Sequence, residues 1–375
     1  LTARTAALLG TVGIPARYGG FETLAEALVR EADDLGISHQ ITVYCSAAQT
    51  PKPRPRHLNG ATLRYLPLHA NGVQSVAYDA VSLIHAAWTG TDTIVLLGVS
   101  GTIALPVIRL MSRARLIVHL DGLEWQRAKW TGFAKAFLRL SERLAVRWSH
   151  ELIADNPAIA RHIAAEYGRQ PTLLTYGGEQ ARTTAPGDIS DLGLPDHYAL
   201  AIARIEPENN LGLILEAMAE MPERALVVAG NWDQSRYGRS LRHRFAGYPH
   251  LHLIDSVYDP GRLRALRDRA TVYLHGHSAG GTNPSLVEMM HFGVPIAAFD
   301  CIFNREATED AAAFFHDPDT LRCTVARLSG PDGAELGAAL ARIARRRYRW
   351  RDVAASYFEL MGLAPQASPR DAARL

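Results

Sequence analysis

The residues of this chain best suited to chemistry lie in glycine-rich loops just after short apolar runs. The densest loop reads His275-Gly-His277-Ser278-Ala-Gly280-Gly281-Thr282-Asn283-Pro284-Ser285-Leu-Val-Glu288. Asn283 suits a helix N-cap and Pro284 the first helical position, while Gly280 and Gly281 let backbone approach a ligand closely. Backbone N–H groups there would face an anion such as a diphosphate. Glu288, about one turn inside, is placed to accept hydrogen bonds from vicinal hydroxyls, as on a ribose. The plain alternative is a first-turn acid favoured by the helix dipole. His275 and His277 would share one face of a strand, but no third metal ligand accompanies them.

Two further strand ends carry charged or titratable side chains. Ala203-Arg204-Ile-Glu206-Pro207-Glu208-Asn209-Asn210 follows an apolar run and precedes a periodic helix. A guanidinium at the end of a buried strand needs a counter-anion; a pyrophosphate would serve, and Glu206 is the internal alternative. His119-Leu-Asp121-Gly122 ends another run, where His119 and Asp121 are candidates for contact with a reacting group, or Asp121 simply caps a helix. The loop Gly10-Thr-Val-Gly13-Ile-Pro15-Ala-Arg17-Tyr18-Gly19-Gly20-Phe-Glu22 is neither G-x-G-x-x-G nor a P-loop. It reads either as an anion or sugar contact or as a tight turn permitted by glycine.

These loops must be held by a regular frame. Runs at 5–10, 41–46, 61–68, 93–99, 115–121, 151–155 and 172–177 are continuously apolar, as parallel strands buried on both faces are. A polar, turn-rich stretch follows, and runs then recur at 198–203, 225–230, 251–257, 271–276 and 294–300. The expected organisation is a Rossmann-like domain over 1–177, a linker over 178–196, a second Rossmann-like domain over 197–345, and a helical segment over 346–375 returning to the first domain.

Composition agrees with a globular α/β enzyme of 375 residues, 47% hydrophobic and 21% charged, with a net charge of +2. No run of about 18 apolar residues is present, and residues 1–30 read as a strand and a turn, not a cleavable leader. Three distant cysteines make no disulfide framework. Residues 1–177 hold 18 basic and 13 acidic side chains, against 22 and 25 in residues 178–375. Neither balance nor motif points to nucleic acid. A cytoplasmic location is expected.

Five stretches together resemble the retaining family 4 glycosyltransferases of GT-B fold, and among them the bacterial branch that transfers rhamnose in surface-polysaccharide assembly. They are GTVGIPARYGGFETLAEAL, HLDGLEWQRAKW, ARIEPENN, AGNWDQSRYGRSL and HGHSAGGTNPSLVEMMHFGVPIAAFDCIFNRE, in family order from residue 10 to about 306. The resemblance implies two Rossmann-like, doubly wound domains facing a central cleft. It implies that Gly19 and Gly20 approach donor phosphate and sugar, that Arg204 neutralises the diphosphate, and that Glu288 holds the ribose. His119 or Asp121 would face the transferring sugar, and the stretch Ile254-Asp255-Ser256-Val257 would border the base. No cofactor is implied; the nucleoside-diphosphate sugar is a substrate, with a dTDP-sugar favoured over UDP- or GDP-sugars.

Two positions depart from the family pattern. Gly280 stands in the first slot of E-x7-E, so backbone N–H groups of Gly281 and Thr282 would contact the sugar, which suits a 6-deoxyhexose. Asn209 replaces the Lys five residues after the Arg, and Arg239 or Arg236 would supply the missing charge. Catalysis would then be charge stabilisation on the leaving phosphate without a metal. The acceptor expected is a saccharide or a lipid-linked saccharide. Residues 127–148 combine aromatic side chains with Arg127, Lys129, Lys135, Arg139, Arg143 and Arg147. They form either a basic amphipathic helix for an anionic membrane surface or an ordinary helix with its stripe in the core. An epimerase or a non-catalytic nucleotide-sugar-binding subunit are the competing readings.

Overall fold

A computed structural model describes residues 4–16, 19–120, 122–127 and 132–363. Arg17, Tyr18, Asp121 and Lys129 lie outside the described residues. The chain divides into two compact units, Leu1–Leu174 with Trp350–Leu375, and Thr175–Arg349.

The first unit is built on β1 (Ala6–Leu9), β2 (Ile41–Ser46), β3 (His57–Leu58), β4 (Ala61–Leu66), β5 (Thr93–Leu97), β6 (Arg115–Leu120), β7 (Glu151–Ala154) and β8 (Thr172–Leu173). Their order is β3-β4-β2-β1-β5-β6-β7-β8, parallel throughout except for the β3–β4 pair. β1 and β5 are buried along their whole length and β6 from Leu116 onward, as their apolar runs require. Helices α1 (Gly20–Asp34), α2 (Ser75–Trp88), α3 (Leu105–Met111), α4 (Gly132–Trp148) and α5 (Pro157–Tyr167) are the crossovers.

The second unit is a six-stranded sheet of β9 (Tyr198–Ile202), β10 (Leu226–Gly230), β11 (Leu251–Asp255), β12 (Ala270–His275), β13 (Ile296–Phe299) and β14 (Ala313–Phe315). Its order is β11-β10-β9-β12-β13-β14 and every pair is parallel. Its helices are α6 (Gln180–Thr183), α7 (Leu211–Ala219), α8 (Arg236–Phe245), α9 (Pro260–Asp268), α10 (Pro284–Met290), α11 (Ile302–Thr308), α12 (Pro318–Leu328) and α13 (Pro331–Arg347). One apolar cluster joins Ile214, Trp232, Leu274 and Phe315; a second joins Tyr198, Tyr273, Met289 and Tyr348.

The expected linker over 178–196 is instead packed into the second unit. Ala181 and Ile189 are buried, Gly187 N–H donates to the Gly261 carbonyl at 2.8 Å, and Asp191 pairs with Arg262 at 2.8 Å. Its polar residues hydrogen-bond to α9 and do not merely solvate a tether. The helical segment expected from 346 starts its own helix, α14 (Trp350–Met361), at Trp350 and belongs to the first unit. There it packs on α1 and β5, burying Trp350, Tyr357, Phe358 and Met361. Thr93 Oγ1 donates to the Met361 carbonyl at 3.0 Å, and Tyr357 Oη meets His119 Nδ1 at 2.8 Å.

The Tyr357–His119 hydrogen bond is fully buried, so removing the hydroxyl strands a ring nitrogen. Tyr357→Phe is expected to cost about 1–2 kcal/mol in urea unfolding. An unchanged midpoint would mean that the bond adds nothing to the docking of α14.

Candidate functional site

In a doubly wound sheet, ligands bind beyond the carboxyl ends of the strands where the strand order reverses. In the second unit that point lies between β9 and β12, and both chemically rich loops of that unit emerge there. They are joined to each other. Ser278 donates to the Glu208 carbonyl through its N–H at 3.0 Å and its hydroxyl at 2.8 Å. Asn210 Nδ2 donates to the Gly276 carbonyl at 2.8 Å. A Cβ at Gly276 would sit 2.1 Å from the Asn209 carbonyl oxygen, so the loops meet this closely only with glycine there.

Asn209, in the slot where the family carries Lys, is buried, and its Nδ2 donates to the Arg204 carbonyl at 2.7 Å. It fixes the backbone of the arginine and supplies no charge. The Arg204 side chain is half-buried and makes no ion pair or hydrogen bond with the described residues, so Glu206 does not neutralise it. Arg239 is exposed and donates to the Asp233 carbonyl at 2.7 Å. It thus braces its own loop instead of taking the place of the absent Lys.

Around the second loop, Gly280 has φ +111°, where a glutamate would be strained, so the backbone as folded here does not suit a side chain in that slot. Asn283 is the N-cap of α10: its Oδ1 accepts from Ser285 N–H at 3.0 Å and from Ser285 Oγ at 2.7 Å. Both bonds use the Asn283 oxygen, which serves as the cap that the residue type suggests, so any contact of Asn283 with a donor would fall to its amide nitrogen or backbone N–H. Thr282 is buried beside it, and Gly281 is half-buried. Glu288 is held by Arg267, whose guanidinium pairs with Oε2, and by Gln180 Nε2, which donates to Oε1 at 2.9 Å. A carboxylate has about four acceptor sites, so two remain for hydroxyls, and the carboxylate is already oriented. Val257 follows β11 and packs its half-buried side chain on the apolar cluster around Tyr198.

His275 is fully buried and neither ring nitrogen has a hydrogen-bond partner; burial pushes its pKa down to about 3, keeping it neutral. Its ring stacks on His277, with centroids 4.6 Å apart and planes 11° from parallel. Among the described residues no three His, Cys, Asp or Glu side chains converge as a metal site would.

The first unit corrects two expectations. Its glycine loop gives backbone donors to carboxylates: Val12 N–H donates to Glu22 at 2.6 Å and Ala16 N–H to Glu26 at 2.5 Å. The Glu22 carboxylate folds back against Gly19, 2.1 Å from where a Cβ would be, so a phosphate at Gly19 and Gly20 would meet negative charge. His119 has no exposed surface; Phe21 packs edge-on at 5.1 Å, Tyr357 bonds Nδ1, and burial pushes its pKa down to about 3. It is a neutral ring locked in the core, not a group open to a substrate. Asp121 lies outside the described residues.

Arg267, Gln180 and Asp79 belong to no motif in the sequence. Arg267 and Asp79 carried a signal, a charged residue on the buried face of an amphipathic helix. Asp79 shares that face of α2 with Ser82, Leu83 and Ala86. It is 4% exposed, Oδ1 has no partner, and burial pushes its pKa up to about 8.

An acid whose pKa is raised on folding takes up a proton that the unfolded chain releases. Between about pH 4 and 8 Asp79 therefore makes stability fall as pH rises, by up to about 1.4 kcal/mol per pH unit. Asp79→Asn removes that slope, so its stability gain over the parent grows from pH 4.5 to pH 7.5 in denaturant unfolding. A difference independent of pH would contradict the burial of a neutral acid.

Residues 3–179 match a domain family of unknown function, DUF1972, and residues 189–322 match the family Glycosyl transferases group 1. A comparison with curated proteins gives no match. Among solved structures, sucrose-phosphate synthase from Thermosynechococcus elongatus superposes with a TM-score of 0.79 at 15% identity, covering 95% of this chain and 98% of that one. Anabaena HepE in complex with UDP-glucose gives 0.71 at 12%, covering 96% and 100%. The trehalose-6-phosphate synthase OtsA gives 0.72 at 11%, covering 97% and 100%. The second unit thus carries a glycosyl transferases group 1 domain in a chain of GT-B fold, which supports a glycosyltransferase.

Proposed function

We propose that the chain is a retaining family 4 glycosyltransferase that moves a sugar, with L-rhamnose the first candidate, from a nucleoside diphosphate to a saccharide or lipid-linked saccharide in surface-polysaccharide assembly. The observation that carries this reading is the joined pair of loops at the switch point of the second sheet. It combines a half-buried Arg204 with no ionic partner among the described residues, close approach of the two loops at Gly276, and an oriented Glu288. An anion beside Arg204 and a diol on Glu288 are what a nucleoside diphosphate offers. HepE, whose solved complexes hold UDP and UDP-glucose, supports the same ligand class here. A dTDP-sugar is the first donor to test and a UDP-sugar the second.

In this reading the acceptor oxygen attacks the anomeric carbon on the face from which the diphosphate leaves. The carbon–oxygen bond to the β-phosphate breaks, and a phosphate oxygen takes the acceptor's proton. Arg204 and backbone N–H groups stabilise the leaving charge, so no divalent cation is required. Gly280, with no carboxylate to bind a sugar hydroxyl, suits a 6-deoxy sugar. The carboxylates around Gly19 and Gly20 suit sugar hydroxyls better than phosphate.

A thermal-shift panel with dTDP, UDP, GDP and ADP tests the reading, since a ligand of the folded state raises the midpoint by mass action. One nucleotide is expected to shift the parent. Glu288→Ala and Arg204→Ala should each lose most of that shift, and turnover should survive chelation of divalent metals. No shift with any nucleotide would sink the assignment. Nucleotide binding without release of nucleoside diphosphate on adding acceptor would instead favour a non-catalytic binding subunit.

We also infer peripheral contact with an anionic membrane, on the cytoplasmic face. Among the described residues no helix is long and apolar enough to cross a bilayer. Support comes from three neighbouring helices, α2, α3 and α4. Trp88, Leu110, Met111 and Phe133 are each 78–87% exposed on them. Arg109, Lys135, Arg139, Arg143 and Arg147 are exposed as well, whereas the acids on these helices, Asp79 and Glu142, are buried. Apolar and cationic side chains together suit an anionic lipid surface. Flotation with phosphatidylglycerol vesicles at low salt should recover the chain, and Leu110→Glu with Met111→Glu should release it. No recovery with phosphatidylglycerol vesicles at low salt would remove this contact.

A further inference from the structure

The carboxyl ends of β1 and β5, the switch point of the first sheet, open into a cavity of about 890 Å³. Gly10, Leu97 and Gly98 form its floor, and α2 and α4 wall it with Val76, Phe137 and Leu138. Among the described residues the polar side chains on its walls are few, namely Asn71, Ser75, Asp79, Ser100 and Glu124. Among them Asp79 is the anomaly. Its carboxyl is almost wholly buried, and it forms no hydrogen bond with the described residues. An unpaired buried polar group costs about 1–3 kcal/mol, which a ligand oxygen in the cavity would offset.

We infer that this cavity takes the apolar chain of an amphiphilic acceptor, with the Asp79 carboxyl hydrogen-bonded to a neutral oxygen at the chain's polar end. The inference rests on the glycosyltransferase reading and names the acceptor class within it. A saccharide of that volume would bring many hydroxyls, each costly to desolvate unless paired. Among the described residues the wall offers too few partners for them. An alkyl or isoprenoid chain needs only contact and shape, which Phe21, Val76, Phe137 and Leu138 provide. The rim points the same way: Val73 and Phe133 line the cavity and are also 95% and 86% exposed. Through them the apolar interior is continuous with the exposed apolar face of α2 and α4, so a chain lying in a lipid surface has an unbroken apolar path inward.

The test titrates the full chain by calorimetry with methyl, octyl and dodecyl β-D-glucoside below their aggregation limits. Affinity is expected to be undetectable for the methyl glycoside and to tighten at least about tenfold from octyl to dodecyl, since each buried methylene contributes up to roughly fourfold. Ala80→Trp, which fills the cavity from α2, should abolish that trend while leaving the nucleotide-induced thermal shift intact. Asp79→Asn should bind dodecyl glucoside within about twofold of the parent, and Asp79→Leu about five- to tenfold more weakly although its wall is more apolar. Equal affinity for methyl and dodecyl glycosides, undiminished dodecyl binding by Ala80→Trp, or tighter binding by Asp79→Leu would each overturn the assignment. A nucleotide shift without a chain-length trend would defeat the cavity assignment alone. A chain-length trend without any nucleotide shift would uphold the apolar ligand and defeat the glycosyltransferase reading.

Discussion

The close approach of two loops at Gly276 is the constraint on which the second unit's site depends. Because position 276 has no Cβ, the backbone leaving β12 lies against Asn209, and Ser278 can reach the Glu208 carbonyl with both its donors. Asn209 in turn holds the Arg204 carbonyl. A side chain at 276 would force the loops apart and disturb the backbone that fixes Arg204. None of these contacts uses the Arg204 side chain: they are made by backbone groups, a neutral amide and the Ser278 hydroxyl. In the proposed site Asn209 would thus serve geometry, and the Arg204 guanidinium would carry the charge.

Most of the frame was legible because parallel strands buried on both faces leave an unbroken apolar signature. The run 41–46 is β2 to the residue, and those at 93, 198, 251 and 271 fall within a few residues of β5, β9, β11 and β12. What escaped was β3, two residues on an edge, and β14, whose Ala-Phe-Phe is too short to show a period. The packed stretch 178–196 was misread for a related reason. Its polar residues bond to α9, and composition does not distinguish a polar segment that pairs with protein from one that pairs with water.

The site was legible where local chemistry decides it and opaque where tertiary partners do. Asn283 and Pro284 cap and start α10 as their types dictate. The conformation of Gly280 follows from the missing Cβ. By contrast, no spacing rule predicts that Glu22 and Glu26 would take the amides of the first glycine loop, or that Tyr357, 238 residues away in sequence, would lock His119. Glu288 lies between these cases. Its place inside the first helical turns was readable, but its orientation comes from Arg267 and Gln180, which stand on other elements.

Asp79 and Arg267 show two ways of retaining a titratable group in a core. Arg267 is paired with Glu288; removing either partner would strand the other at about 3–5 kcal/mol, so the pair fixes a geometry more than it adds stability. The Asp79 carboxyl has no hydrogen-bond partner among the described residues, and burial raises its pKa to about 8, which favours the neutral acid but leaves its buried Oδ1 unsatisfied. An alanine or leucine on that face of α2 would fold with less penalty, since its neighbours Leu83 and Ala86 are apolar. The acid therefore makes physical sense chiefly when something in the cavity meets it. The buried pair organises the second unit's site from within, while the lone acid leaves the first unit's cavity poised for a ligand oxygen.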